Sequence, residues 1–165
     1  VTDWQLEDNY IAGTGGDGIH LQNAAGWMIN SNHIYTVGGN HALYADRLWG
    51  SSIGDNYIED FGTIGVVARV QGGSASTITG NRIFQKSGRS GTFLQVLGNY
   101  AHAKAAVNSN TIRGKGLGIG LDYQRGTADS LEVTSNGNLV TDVEIDRQVG
   151  EGVTINPGVL LLGQP

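Results

Sequence analysis

Apolar and polar positions recur along the chain in a fixed phrase: an aliphatic residue, two positions, an asparagine, one position, and a second aliphatic residue. It appears as Leu6…Asn9…Ile11, Ile29…Asn32…Ile34, Ile53…Asn56…Ile58, Ile78…Asn81…Ile83 and Val107…Asn110…Ile112. Val133…Asn136 reads as a sixth, degraded copy, and the asparagines are then 23, 24, 25, 29 and 26 residues apart. A unit of about 24 residues made of short β-type runs predicts one turn of a stacked parallel β-helix, and excludes helical repeats of about 33 residues or more. The recurring asparagine is expected to be buried, its amide bonding backbone groups of its own coil and of the coils above and below.

Three short runs per unit predict a three-sided prism. One leads into the asparagine (Trp27-Met28-Ile29, Ser51-Ser52-Ile53) and a second follows it (Ile34-Tyr35, Tyr57-Ile58). The third alternates apolar and polar residues with period two. Counting back about eleven residues from each asparagine stacks Gly18–Gln22, Ala42–Asp46 and Val67–Gln71, continued by Leu94-Gln95-Val96 and Ile119–Tyr123. Ile19, Leu43, Ala68, Leu94 and Leu121, or close neighbours, would then point inward, with Leu21, Ala45, Val70 and Val96 as a second row. Gly15, Gly38, Gly62 and Gly116 lie six residues after an asparagine, with Gly88 one later, and are expected to bend the coil at positive φ. The repeat occupies residues 1–138. Residues 139–165 are expected to close the last coil, Gly152–Leu162 as an apolar hairpin or covering strand whose Val159–Leu162 run is buried in the core or against sister chains.

Composition narrows the possibilities. The 165 residues suffice for one domain, charged residues are only 15%, and the net charge of −5 with no basic cluster argues against nucleic acid as a partner. With no Cys there is neither a disulfide nor a thiolate site, and no apolar run is long enough to span a membrane. The chain opens in mid-repeat, so an upstream segment is expected to cover the first coil.

On this alignment the outward residues form two lanes. One holds His20, Tyr44, Arg69, Gln95 and Asp122; the other holds Gln22, Asp46, Gln71 and Gln124. A flat polar lane along a solenoid suits an extended polysaccharide: Tyr44 can stack on a sugar, while Gln22, Gln71, Gln95 and Asp122 can bond its hydroxyls. Glycoside hydrolysis uses two carboxyls roughly 5 to 9.5 Å apart. Asp46 and Asp122 are three coils apart, about 14 Å, so Asp46 would need a turn acid such as Asp17, Glu59 or Asp60, or an acid from a neighbouring chain. Elimination instead needs a cation for a uronate carboxylate and a base for the α-proton; Arg69 with Tyr44 or His20 supplies both. His33, His41 and His102 show no metal-ligand spacing, Asp55, Glu59 and Asp60 make no convincing calcium set, and no cofactor is expected.

The Ile-x-x-Asn-x-Ile phrase and the Gly-bounded coils resemble right-handed parallel β-helix proteins of the pectate-lyase-like superfamily, over nearly the whole chain. The resemblance implies an all-β, right-handed solenoid of about five coils. It further implies a secreted or virion-surface, carbohydrate-active module of a polysaccharide depolymerase or tailspike, acting on polysaccharide as a homotrimer. Ala25–Ile34 is also similar to the coils of inulin fructotransferases, a family whose catalysis uses an Asp beside the repeat Asn and a Glu on the following strand. Asp8 matches the first; the second falls at Ile19 or His20, where this chain has no Glu. A non-catalytic glycan-binding or structural stalk is the remaining alternative.

Overall fold

The computed structural model describes residues 2–156. In chain order the first coil carries β1 (Gln5–Glu7), β2 (Tyr10–Ala12) and β3 (Ile19–Leu21). The second carries β4 (Met28–Asn30), β5 (His33–Tyr35) and β6 (His41–Leu48). The third carries β7 (Ser52–Gly54), β8 (Tyr57–Glu59) and β9 (Ile64–Gln71). The fourth carries β10 (Ser76–Thr79), β11 (Arg82–Phe84) and β12 (Thr92–Tyr100). The fifth carries β13 (His102–Asn108), β14 (Thr111–Arg113) and β15 (Ile119–Gln124). Then come β16 (Ser130–Asn136), β17 (Leu139–Thr141), β18 (Ile145–Val149) and β19 (Val153–Asn156).

Every third strand stacks on its counterpart. Sheet A has seven strands, β1-β4-β7-β10-β13-β16-β19; sheet B has β2 to β17 and sheet C β3 to β18, six strands each. All pairings are parallel, so the chain is an all-β parallel solenoid of about six turns, one more than the sequence count of five. The extra turn is residues 139–156, where β17, β18 and β19 add to the three sheets in parallel register. The closing segment expected from Gly152 therefore begins as β19 beside β16, and its Val159–Leu162 run lies outside the described residues.

The core is a set of aliphatic columns. Ile29, Ile53, Ile78 and Val107 stack inside sheet A, and Ile34, Ile58, Ile83 and Ile112 inside sheet B. β-Branched side chains, restricted at χ1, suit such stacking on a pleated surface. At the corner between sheets A and B runs an asparagine ladder. The Nδ2 of Asn9, Asn32, Asn56, Asn81 and Asn110 each donates to the Oδ1 of the next asparagine at 2.9 to 3.0 Å. From the second coil on, Nδ2 also donates to a carbonyl of the coil before, as Asn56 does to Ile29 O at 2.9 Å. The backbone N–H of each residue points to the same Oδ1 acceptor, as in Asn56 N to Asn81 Oδ1 at 3.1 Å. Asn32, Asn56, Asn81 and Asn110 are fully buried, and this mutual satisfaction is what lets polar groups occupy the core. The sixth rung is Asn138, not Asn136.

The bends differ from the expectation. The left-handed residue stands just before the ladder asparagine: Asp8, Ser31, Asp55, Gly80, Ser109 and Gly137, with φ between 53° and 70°. Of the glycines expected to bend the coil, Gly88 and Gly116 do have positive φ, at 67° and 79°, whereas Gly15, Gly38 and Gly62 do not. Gly62 is glycine because the turn beneath leaves no room for a side chain: an added Cβ would collide with Gly39 O.

Candidate functional site

The outer face of sheet C gathers most of the residues singled out from the sequence, with one shift of register. His20, Tyr44, Val67, Gln95, Asp122 and Gln148 are successive partners, so Val67 occupies the position expected for Arg69. Inward, Val66 accordingly replaces Ala68 in the first row and Ala68 replaces Val70 in the second. Counting from the asparagine crosses the turn Gly72–Ala75, which is longer than its counterpart in the coil below. A one-residue bulge at Asp46-Arg47 in β6 only partly offsets this.

The displaced Arg69 still returns to the site. It lies one residue pair further along, opposite Leu97, and its guanidinium reaches back diagonally. Nη1 donates to the Tyr44 hydroxyl at 3.1 Å and Nη2 to Asn99 Oδ1 at 2.8 Å, while Nε faces Asp46 Oδ1 at 3.5 Å. Asp46 Oδ1 also accepts the backbone N–H of Arg47 at 3.0 Å. The Tyr44 hydroxyl, and after it the Asp46 carboxylate, push the guanidinium above its already high range, so its charge is fixed. Nε is buried with no hydrogen-bond partner of its own. Beside it, Val67 points away from the core cluster but is only 2% exposed. Longer neighbours, Tyr44 and Arg69 among them, thus roof an apolar floor, and polar interactions above such a floor are strengthened by lost solvent.

The other side of Tyr44 is walled by imidazoles. His20 stacks on its ring at 4.6 Å and His41 lies tilted at 5.1 Å. Both rings are held by Asp17, whose Oδ2 is 2.8 Å from His20 Nδ1 and 3.0 Å from His41 Nδ1, and whose Oδ1 accepts the His41 backbone N–H at 2.9 Å. Burial would push the Asp17 carboxyl up, but the bonds from His20 and His41 outweigh it and bring it down to about 2. At the opposite end Asp122 is locked, receiving Gln95 Nε2 and Gln124 Nε2 at 2.7 Å each, and it is only 5% exposed.

Gln22 is exposed just past β3, where an open cleft of about 420 Å³ is lined by His20, Leu21, Gln22, Asn23 and Trp27. Gln71 ends β9 opposite Tyr100, away from the cluster. Asp60 stands elsewhere, its Oδ1 accepting the backbone N–H groups of Lys86 and Ser87. Asp8 lies at the corner between sheets A and B, not on sheet C. Among the described residues no group of three or more His, Asp or Glu is placed to hold a metal. Sequence reading missed three participants, Asn99, His41 and Trp27, and named Asp17 only as a turn acid for Asp46. His41 and Asp17 could have been found from their position flanking the lane, one coil apart; Asn99 could not, since it reaches Arg69 across a register that spacing alone does not fix.

A class follows from the stacked geometry: a parallel β-helix bearing a polar cluster on one face. The chain belongs to the right-handed beta helix region family, whose model matches residues 1–159. No curated protein and no solved structure matches it.

Proposed function

We propose that the outer face of sheet C binds an acidic polysaccharide and cleaves it by elimination. The observation that carries this reading is the Tyr44 hydroxyl held 3.1 Å from the permanently charged Arg69 guanidinium. Arg69, with donors beyond those it spends on Tyr44 and Asn99, neutralises the uronate carboxylate and the enolate charge that grows on it. Tyr44, with the His20 imidazole stacked on it and that of His41 tilted against it, stands where a proton can be taken from the carbon beside that carboxylate. Loss of that proton forms the enolate; its electron pair becomes the ring double bond as the glycosidic C–O bond breaks, and the departing sugar oxygen takes a proton. Gln22 and Trp27 line the cleft along which the chain would extend.

Hydrolysis fits less well. It needs one carboxyl kept protonated near neutrality beside a second one. Asp17 is bonded by two imidazoles that bring its carboxyl down to about 2, the opposite of what a general acid needs. A secreted or virion-surface setting and a trimeric assembly accompany this proposal.

The test is incubation of the full chain with polygalacturonate, alginate and a neutral glucan, following both ultraviolet absorbance of the conjugated product and new reducing ends. Absorbance rising with the polyuronates, and lost in Arg69→Ala, supports elimination. Reducing ends without absorbance would transfer the chemistry to Asp46 and a second carboxyl, and no change in either would leave a glycan-binding or structural stalk.

A further inference from the structure

Sheet B carries a second organised surface that the reading of sheet C does not use. Its outward residues fall in two lanes. One is Tyr10, His33, Tyr57, Arg82, Thr111 and Leu139; the other is Ala12, Tyr35, Glu59, Phe84, Arg113 and Thr141. Aromatic rings occupy four consecutive coils and touch from coil to coil. Tyr10 meets His33 at 5.0 Å, His33 meets Tyr57 at 4.7 Å, Tyr57 meets Phe84 at 5.5 Å, and Arg113 then lies over Phe84 at 5.0 Å. The three ring pairs are edge-to-face, with interplanar angles of 88°, 77° and 76°, so the rings stand as walls around a hollow. That hollow, about 230 Å³, is lined by Tyr10, His33, Tyr35, Tyr57 and Glu59.

Polar atoms rim it in a fixed arrangement. The Tyr10 hydroxyl donates to that of Tyr35 at 2.7 Å, and the Tyr57 hydroxyl donates to Glu59 Oε2 at 2.8 Å. Glu59 is in turn paired with Lys86, which holds its carboxyl below the usual range and neutralises it. Along the same face a second hollow of about 460 Å³ is lined by Phe84, Lys86, Arg113, Lys115 and Asp142. Lys86 answers Glu59, whereas neither Arg113 nor Lys115 is ion-paired among the described residues. A chain of net charge −5 thus gathers an excess of positive charge at one end of an aromatic trough, Arg113 and Lys115 facing the single carboxylate of Asp142.

We propose that the outer face of sheet B is a second saccharide-binding surface, taking an extended glycan that bears carboxylate or sulfate groups. The apolar C–H faces of a sugar ring fit the aromatic hollow and its hydroxyls meet the rim of phenols, imidazole and carboxylate. An anionic substituent one or two sugars away reaches Arg113 and Lys115, since successive coils are about 4.8 Å apart. This binding is independent of any turnover on sheet C.

The experiment is titration calorimetry of the full chain with tetragalacturonate, a heparin tetrasaccharide and neutral cellotetraose. It uses wild type, Tyr10→Ala/Tyr35→Ala, Arg113→Ala/Lys115→Ala and, as a sheet C control, Arg69→Ala; circular dichroism and sedimentation check fold and mass. The expected result is binding of at least one acidic probe. In Arg69→Ala, which removes the sheet C contribution, that binding should persist, and it should weaken about tenfold when either sheet B pair is replaced in the same background, with cellotetraose binding more weakly. The proposal is overturned by any of four results: no acidic probe binds Arg69→Ala, cellotetraose binds it equally well, adding Tyr10→Ala/Tyr35→Ala leaves that binding unchanged, or Tyr10→Ala/Tyr35→Ala changes the oligomeric mass, which would make the face a contact between copies.

Discussion

The Tyr44 hydroxyl accepts a hydrogen bond at 3.1 Å from Arg69, a residue that is not its partner in the sheet. Tyr44 stands beside Val67, and the guanidinium spans the offset diagonally, braced by Asn99 and Asp46. If this pair performs the elimination proposed for sheet C, Arg69→Ala and Tyr44→Phe should each lower kcat on a polyuronate by about 100-fold, the first by removing the group that stabilises developing charge and the second by removing the group that takes the proton. Arg69→Lys should recover little, because a single ammonium cannot bond the Tyr44 hydroxyl and Asn99 while facing Asp46. Initial rates on polygalacturonate, with thermal melts to confirm folding, decide it.

What the sequence could and could not disclose is visible in that same pair. The architecture was legible because Asn32, Asn56, Asn81 and Asn110 recur with their flanking aliphatics, and only a stacked coil satisfies a buried amide at that interval. The sheet C alignment was legible for His20, Tyr44, Gln95 and Asp122, which are partners as expected. It failed at Arg69, because the turn after β9 and the bulge in β6 change the count without changing the hydrophobic pattern. The aromatic trough of sheet B was hidden for another reason: Tyr10, His33 and Tyr57 each adjoin an inward isoleucine, so the run reads as core while half of it faces outward.

The asparagine ladder predicts a gradient of cost. Asn56→Ala removes the Oδ1 that accepts both the backbone N–H and the Nδ2 of Asn32, and frees the buried carbonyl of Ile29. Leaving such groups unsatisfied should cost roughly 3 kcal/mol. Among the described residues Asn9 only donates, to Asn32 Oδ1 and Glu7 O, and it forms the first rung of the ladder, so Asn9→Ala should cost about 1 kcal/mol. Urea unfolding of the two variants measures the difference; equal losses would mean that the ladder does not act as a network.

The corner before each ladder residue gives a test of backbone strain. Gly80 has φ of 70°, and an added Cβ would collide with the Asp55 carboxylate one coil below. Gly80→Ala should therefore cost about 2 kcal/mol, part from the left-handed backbone and part from the collision. Adding Asp55→Ala relieves only the second part, so the double variant should be more stable than the sum of the single changes. A double-mutant cycle by chemical denaturation reads this directly.

Asp17 carries the pH dependence of the sheet C face. Its carboxyl is held at about 2 in the folded chain against an ordinary 3.8, so it binds protons less readily folded than unfolded. The stability it contributes is therefore complete above about pH 4 and is lost as pH falls towards 2. A shift of that size corresponds to at most about 2 kcal/mol, reduced by solvent at a side chain 16% exposed. Asp17→Asn should be less stable than wild type at pH 6, and the two should converge between pH 4 and pH 2 as the wild-type carboxyl protonates. The same change frees His20 and His41 from their shared anchor, so the stacking of His20 on Tyr44 should loosen. Chemical shifts of the imidazole protons report that loosening, and melting temperatures across the same pH range report the stability.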